Sequence, residues 1–167
     1  MVIIFSIDKG RLIALLQASC SKREYCSGQI RDKIEKMCRS GKFEGGRFLS
    51  ADETEEIISL LKKEKFVDDS RFAEFYVRDK ARFNKWGRVK IRLKLKQLGV
   101  EDSIINSAIE QNSLVFKTDE LEDILRKKWN SLKQEESTLS KKQKVLRYAL
   151  SKGFEWGEII SVLDKLG

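Results

Sequence analysis

Two stretches of this chain repeat one pattern at a fixed offset, and that constrains the fold more than any other feature. Ile91, Leu95, Gly99, Val100, Ile105 and Ile109 recur 54 positions later as Val145, Ala149, Gly153, Phe154, Ile159 and Leu163. A helix, a glycine stop, an apolar residue and a second amphipathic helix therefore occur twice in the same register. A looser copy comes earlier, with Ile30, Ile34 and Cys38 before a break and Ile57, Leu60 and Leu61 after it. The break is "GKFEGGRF", Gly41 to Phe48, which reads as an inserted turn or small hairpin.

Each pair follows another apolar-periodic stretch: Leu12, Leu15 and Leu16; then Phe72, Tyr76 and Phe83; then Leu121, Ile124, Leu125 and Trp129. Each repeat is thus three helices. Ser21 with Glu24, Ser50 with Glu53 and Ser140 with Gln143 have capping-box spacing and are expected helix starts. No proline interrupts the chain, so long helices cost little. A unit of roughly 45 to 55 residues has too small a core to stand alone and must lean on its neighbours. The expected fold is all-α, an elongated tandem array of three three-helix, helix-turn-helix-like repeats, at 1–67, 68–112 and 113–167. The segment "VKIRLKLK", Val89 to Lys96, alternates apolar and basic residues as a half-buried strand does. Helix is preferred, because the segment keeps register with 145–154 and has no strand nearby to pair with. Ile91, Leu95 and Leu98 then form one apolar stripe and Val89 with Leu93 a second, the arrangement of a helix gripped from two sides.

The chain carries 34 basic and 26 acidic residues, a formal +8, and that excess is local. From Arg78 to Lys96 nine basic residues face Asp79 alone, so this segment holds the whole net charge. Same-sign neighbours three and four apart repel, which a merely solvated face would avoid by mixing signs. The segment is therefore read as a binding surface for an anionic partner. Arg71, Arg78, Arg82 and Lys85 fall within about 60° on one helix, and Arg78, Arg82, Lys85 and Arg88 are assigned to solvent-facing sides. Trp86, between Lys85 and Arg88, is either a corner of the core or a ring that stacks on a base.

Histidine is absent, which removes the usual general base, the usual zinc ligand and every imidazole triad. No enzyme and no cofactor is expected. Cys20, Cys26 and Cys38 have no zinc-knuckle spacing and are read as ordinary reduced thiols. Asp68 and Asp69 stand before a helix start, where carboxylates favour the positive end of the dipole. Gly45 and Gly46 lack the lysine and following helix of a phosphate loop. The run Val2 to Phe5 is too short for a signal-peptide core or a membrane span, so a cytoplasmic location is expected.

The stretch "KFVDDSRFAEFYVRDKARFNKWGRVKIRLKLKQLGV", Lys65 to Val100, resembles the RecX family of recombination regulators. The likeness rests on Phe66, Val67, Asp68 and Asp69 leading into Arg71, Phe72 and Ala73, then on Trp86, Gly87, Ile91, Leu95, Gly99 and Val100. Weaker likeness runs through Lys22 to Ile34 and Ala149 to Leu163. The resemblance implies a tandem array of three-helix repeats that lies in the groove of the RecA filament on single-stranded DNA and opposes its growth and strand exchange. It carries no catalytic residues and no metal. The implied partners are the RecA filament and single-stranded DNA, met by a monomer without a membrane, and the binding candidates are Arg71, Arg78, Arg82, Lys85, Trp86, Arg88, Lys90, Arg92, Lys94 and Lys96. Asp68, Asp69, Arg71, Phe72 and Ala73 match the family's signature, as cap and core of the second repeat. The Gly41–Phe48 insertion and the apolar start at Val2 to Phe5 depart from the family pattern.

Two other functions stay open on the residues alone. A sequence-specific helix-turn-helix regulator would need side chains suited to base edges, whereas lysines suit phosphates better. A repeat scaffold for an acidic protein would use the same charge without DNA.

Overall fold

The computed structural model describes residues 8–41, 43, 47–116, 118–132 and 137–166. The run Val2 to Phe5, and within the insertion Lys42 and Glu44 to Gly46, lie outside the described residues. Nine α-helices occur among those described: α1 Lys9–Cys20, α2 Ser27–Arg39, α3 Ala51–Lys63, α4 Asp69–Arg82, α5 Arg88–Gln97, α6 Asp102–Gln111, α7 Thr118–Asn130, α8 Thr138–Lys152 and α9 Trp156–Leu166. A short 3-10 turn, Ser113–Val115, precedes α7. The three triplets follow the apolar periodicity, and "VKIRLKLK" is helical, within α5.

Two compact units are present. The first comprises Met1–Ala73 with Gln97–Ile104, the second Glu74–Lys96 with Ile105–Gly167. The first unit's core is built on Leu12, Leu16, Ile30, Ile34, Cys38, Ile57, Ile58 and Leu61, with Phe43 of the insertion fully buried among them. In the second unit Leu121, Leu125, Val145, Ala149, Ile159, Val162 and Leu163 close a core between α7, α8 and α9.

One of the three expected starts is correct. Ser50 accepts the Glu53 N–H at 3.1 Å while Glu53 accepts the Ser50 N–H at 2.9 Å. Ser21 instead ends α1, its hydroxyl donating to the Gln17 carbonyl at 3.0 Å, and α2 starts after Cys26, whose N–H donates to Gln29 Oε1 at 3.3 Å. Ser140 lies inside α8, which Ser137 caps by accepting the Ser140 N–H at 3.2 Å. The spacing rule is local, and a serine near a turn satisfies whichever helix end its backbone reaches.

The glycine stops are real. Gly99 and Gly153 sit at φ +76° and +84°, the left-handed conformation that a Cβ disfavours. Each also takes part in a close joint between helix ends. At the start of α5, Gly87 N–H donates to Lys152 O at 2.9 Å and Val89 N–H to Gly153 O at 3.1 Å. Unpaired donors of one helix thereby satisfy unpaired carbonyls of another, and a positive dipole end meets a negative one. A Cβ on Gly87 would overlap the Gly153 carbonyl, and one on Gly153 would overlap the Lys90 backbone. The first unit repeats the arrangement, where a Cβ on Gly28 of α2 would overlap the Leu98 carbonyl.

Asp69 ties α2, α3 and α4 together. Its carboxylate accepts the Ser27 N–H and the Ser27 hydroxyl, each at 2.7 Å, and lies 2.9 Å from Lys62 Nζ. Burial pushes this carboxyl upward, but the Ser27 and Lys62 contacts outweigh it and hold the group below its ordinary 3.8. A depressed native value contributes stability above the unfolded value, and that stability is lost as pH falls through the native one. Asp69→Asn is expected to cost about 2 kcal/mol at pH 7. The urea midpoints of wild type and variant should then converge below about pH 4; a gap that stays constant into acid would contradict this.

Candidate binding face

The sequence-based candidates fall into sets with different surroundings. Arg71 belongs to the first unit and is half-buried: its Nε donates to Glu24 Oε1 at 2.9 Å and its terminal nitrogen to Lys65 O at 3.3 Å. Asp68 accepts the Arg71 N–H at 2.9 Å and so caps α4. Arg71 holds α4 to the segment before α2.

The remaining nine lie in the second unit. Lys85 follows the end of α4 at φ +55°, and its ammonium stands 3.4 Å from Glu120. It is therefore not on the α4 helix with Arg78 and Arg82, as the wheel had it, because the helix stops at Arg82. Trp86 is half-buried at the corner, its backbone N–H donating to Lys80 O at 3.0 Å. Arg88 bonds Glu158 at 2.7 Å and lies 4.6 Å from the Phe116 ring centroid. Lys90 donates to Ser151 O at 2.8 Å and covers the Trp86 ring at 4.7 Å. Arg92 bonds Asn106. Lys94 is half-buried and Lys96 exposed, farther along α5.

The solvent assignment of Lys85 and Arg88 is corrected by these pairs, since reversing Arg88 would set one carboxylate against another. The two-sided grip on α5 is corrected as well. Ile91 and Leu95 are fully buried, but Val89 and Leu93 are 50% and 53% exposed, so one stripe packs and the other faces outward. Helical periodicity identifies stripes; it does not tell which of two is covered.

On α4 neither Arg78 nor Arg82 has an ion-pair partner among the described residues, Arg78 half-buried and Arg82 exposed. Arg82 is exposed at the helix end and borders an open notch with Leu114, Val115 and Glu120. Arg78 lies 4.8 Å from the Phe75 ring centroid. Sequence reading passed over Phe75 and put Phe83 among the apolar periodic positions; they are 50% and 81% exposed. The available signal was that Phe75 lies about 160° from Val77 on the helix wheel, opposite the buried side.

Other chemistry is sparse. Cys26 and Cys38 are buried, Cys20 half-buried, and burial pushes the Cys20 and Cys26 thiols up, away from the reactive thiolate. Among the described residues no group of acidic or cysteine side chains gathers as a metal site, and no helix is long and apolar enough to cross a membrane.

The chain matches two family models, "RecX, second three-helix domain" over residues 68–109 and "RecX, third three-helix domain" over 118–163. It is similar to "Regulatory protein RecX" of Clostridium tetani, 34% identical over 146 residues that cover 84% of this chain and 67% of that one. The corresponding protein of Clostridium acetobutylicum is 37% identical over 115 residues, 67% of this chain and 53% of the relative, so the match spans about half of that protein's length. The crystal structure of RecX from Lactobacillus salivarius superposes with a TM-score of 0.73 at 21% identity, covering 94% of this chain and 95% of that one. At that identity the likeness concerns the fold.

Proposed function

The chain belongs to the RecX family of regulatory proteins, and from that membership we propose that it restrains the RecA recombinase filament on single-stranded DNA. The supporting observation is the confinement of the chain's +8 to Arg78–Lys96, together with the half-exposed Arg78 and the exposed Arg82 within it, neither of them in an ion pair among the described residues. Phosphate contacts of this kind give affinity without sequence choice. In this reading the protein is non-catalytic and needs no cofactor. It acts as a cytoplasmic monomer, and its three repeats at 1–67, 68–112 and 113–167 present the basic middle one to filament or strand. Arg78 and Arg82 make the contacts, with Trp86, Lys94 and Lys96 adding to them; Lys85, Arg88, Lys90 and Arg92 hold the surface in place.

Co-sedimentation with RecA filaments, and RecA-driven strand exchange, test this. The chain should pellet with filaments and slow exchange when added well below the recombinase concentration, since a groove or end binder acts on many subunits through few molecules. Inhibition that begins only when the protein coats all the DNA would mean simple competition for the strand and would overturn the proposal.

A further inference from the structure

We propose that the outward face of α4 and the residue after it form a base-stacking site for single-stranded nucleic acid, in which Phe75 and Phe83 take bases and Arg78 and Arg82 take phosphates. This rests on the DNA-binding part of the preceding reading and makes it specific. The two rings are not needed for the core. The buried side of α4 within the second unit is already filled by Val77 and Ala81, 0% and 4% exposed, while Phe75 and Phe83 remain 50% and 81% exposed. Large aromatic rings left in water beside cations are the composition of a stacking platform, because every base offers a π-face and every linkage a phosphate.

The local charge agrees. Phe75, Arg78 and Arg82 fall within about 60° of helix arc, with Phe83 about 80° to the other side of Phe75. The Arg78 guanidinium already lies against the Phe75 ring, 4.8 Å from its centroid, so ring and cation present together. Asp79 shares the face, but Lys80 holds its carboxylate at 2.7 Å. Glu120 borders the notch beside Arg82 and is paired with Lys85 at 3.4 Å. Trp156 makes the contrast: it is 59% exposed, yet the charged residues nearest it on the chain are Glu155 and Glu158. From Phe75 to Phe83 the helix rises roughly 12 Å, against about 3.4 Å per stacked nucleotide. The rings therefore receive bases that are not adjacent, with arginines along the backbone between them. A duplex offers no such bases, so the ligand is single-stranded.

Labelled oligothymidylate and an abasic strand of equal length separate stacking from phosphate contact. Wild type should bind the thymidylate at least tenfold more tightly, with similar salt slopes for both strands. Phe75→Ala with Phe83→Ala should erase the preference without changing the slope or the thermal midpoint, and tryptophan at both positions should restore it. Equal wild-type affinity for the two strands would overturn the stacking site, as would a preference that survives both alanines. If the alanines weaken RecA binding in the absence of DNA but leave the preference intact, the face docks protein instead. Failure of wild type to slow strand exchange, with the base preference present, would sink the filament reading and leave this site standing.

Discussion

Gly153→Ala is expected to lower the thermal midpoint by roughly 6 to 12 °C, the largest change that any single methyl group should produce in this chain. Two costs combine at one position. A left-handed residue with a Cβ loses about 1 to 2 kcal/mol, and the new methyl meets the Lys90 backbone, an overpacking cost of about 1 to 3 kcal/mol. The sum of about 3 kcal/mol converts at roughly 2 to 4 °C per kcal/mol for a chain of this size. Gly87→Ala and Gly28→Ala meet carbonyl groups of their own joints and should behave similarly without the left-handed cost. Gly157, with open space around its Cβ, is the control, and its alanine variant should be neutral or slightly stabilising. Equal, small effects at all four positions would mean that the helix-end joints carry little of the fold's stability.

Arg78→Glu with Arg82→Glu should reduce affinity for single-stranded DNA at least tenfold and lower the slope of log affinity against log salt by roughly 1.4, at about 0.7 per lost contact. Thermal unfolding should stay within a few degrees, since neither residue has an ion-pair partner among the described residues. Arg88→Glu should behave in the opposite manner. It removes a pair with Glu158 and a ring contact with Phe116 and puts like charges together, so stability falls by about 1 to 2 kcal/mol. The reciprocal exchange, Arg88→Glu with Glu158→Arg, should recover most of it. Equal loss of DNA binding from both charge changes at unchanged stability would return the binding surface to the whole basic run.

The architecture was legible because it depends on periodicity. Ile91, Leu95, Ile105 and Ile109 are buried like Val145, Ala149, Ile159 and Leu163 54 positions on, and the left-handed stops Gly99 and Gly153 could be recognised as helix ends from the sequence. Ile30, Ile34 and Cys38, or Ile57 and Leu61, are buried where their spacing put them. Such patterns are written along the chain, in the 3.6-residue turn, and need no partner to be read. The starts at Ser21 and Ser140 failed because capping spacing describes a possible local bond, while the backbone's path decides whether a helix begins there.

Net charge and its location in Arg78–Lys96 belong to the sequence itself; no fold alters them. Which of those cations are engaged within the fold was decided only by the tertiary structure. Lys85, Arg88, Lys90 and Arg92 look equivalent to Arg78 and Arg82 along the chain, but Glu120, Glu158, Ser151 and Asn106 come from 14 to 70 positions away to engage them. The same holds for Phe75 and Phe83 against the buried Phe72, and for Gly87 against Gly153. Each outcome depends on which surfaces meet in space, and hydrophobic burial and ion pairing are interactions of neighbours in space, whatever their distance along the chain.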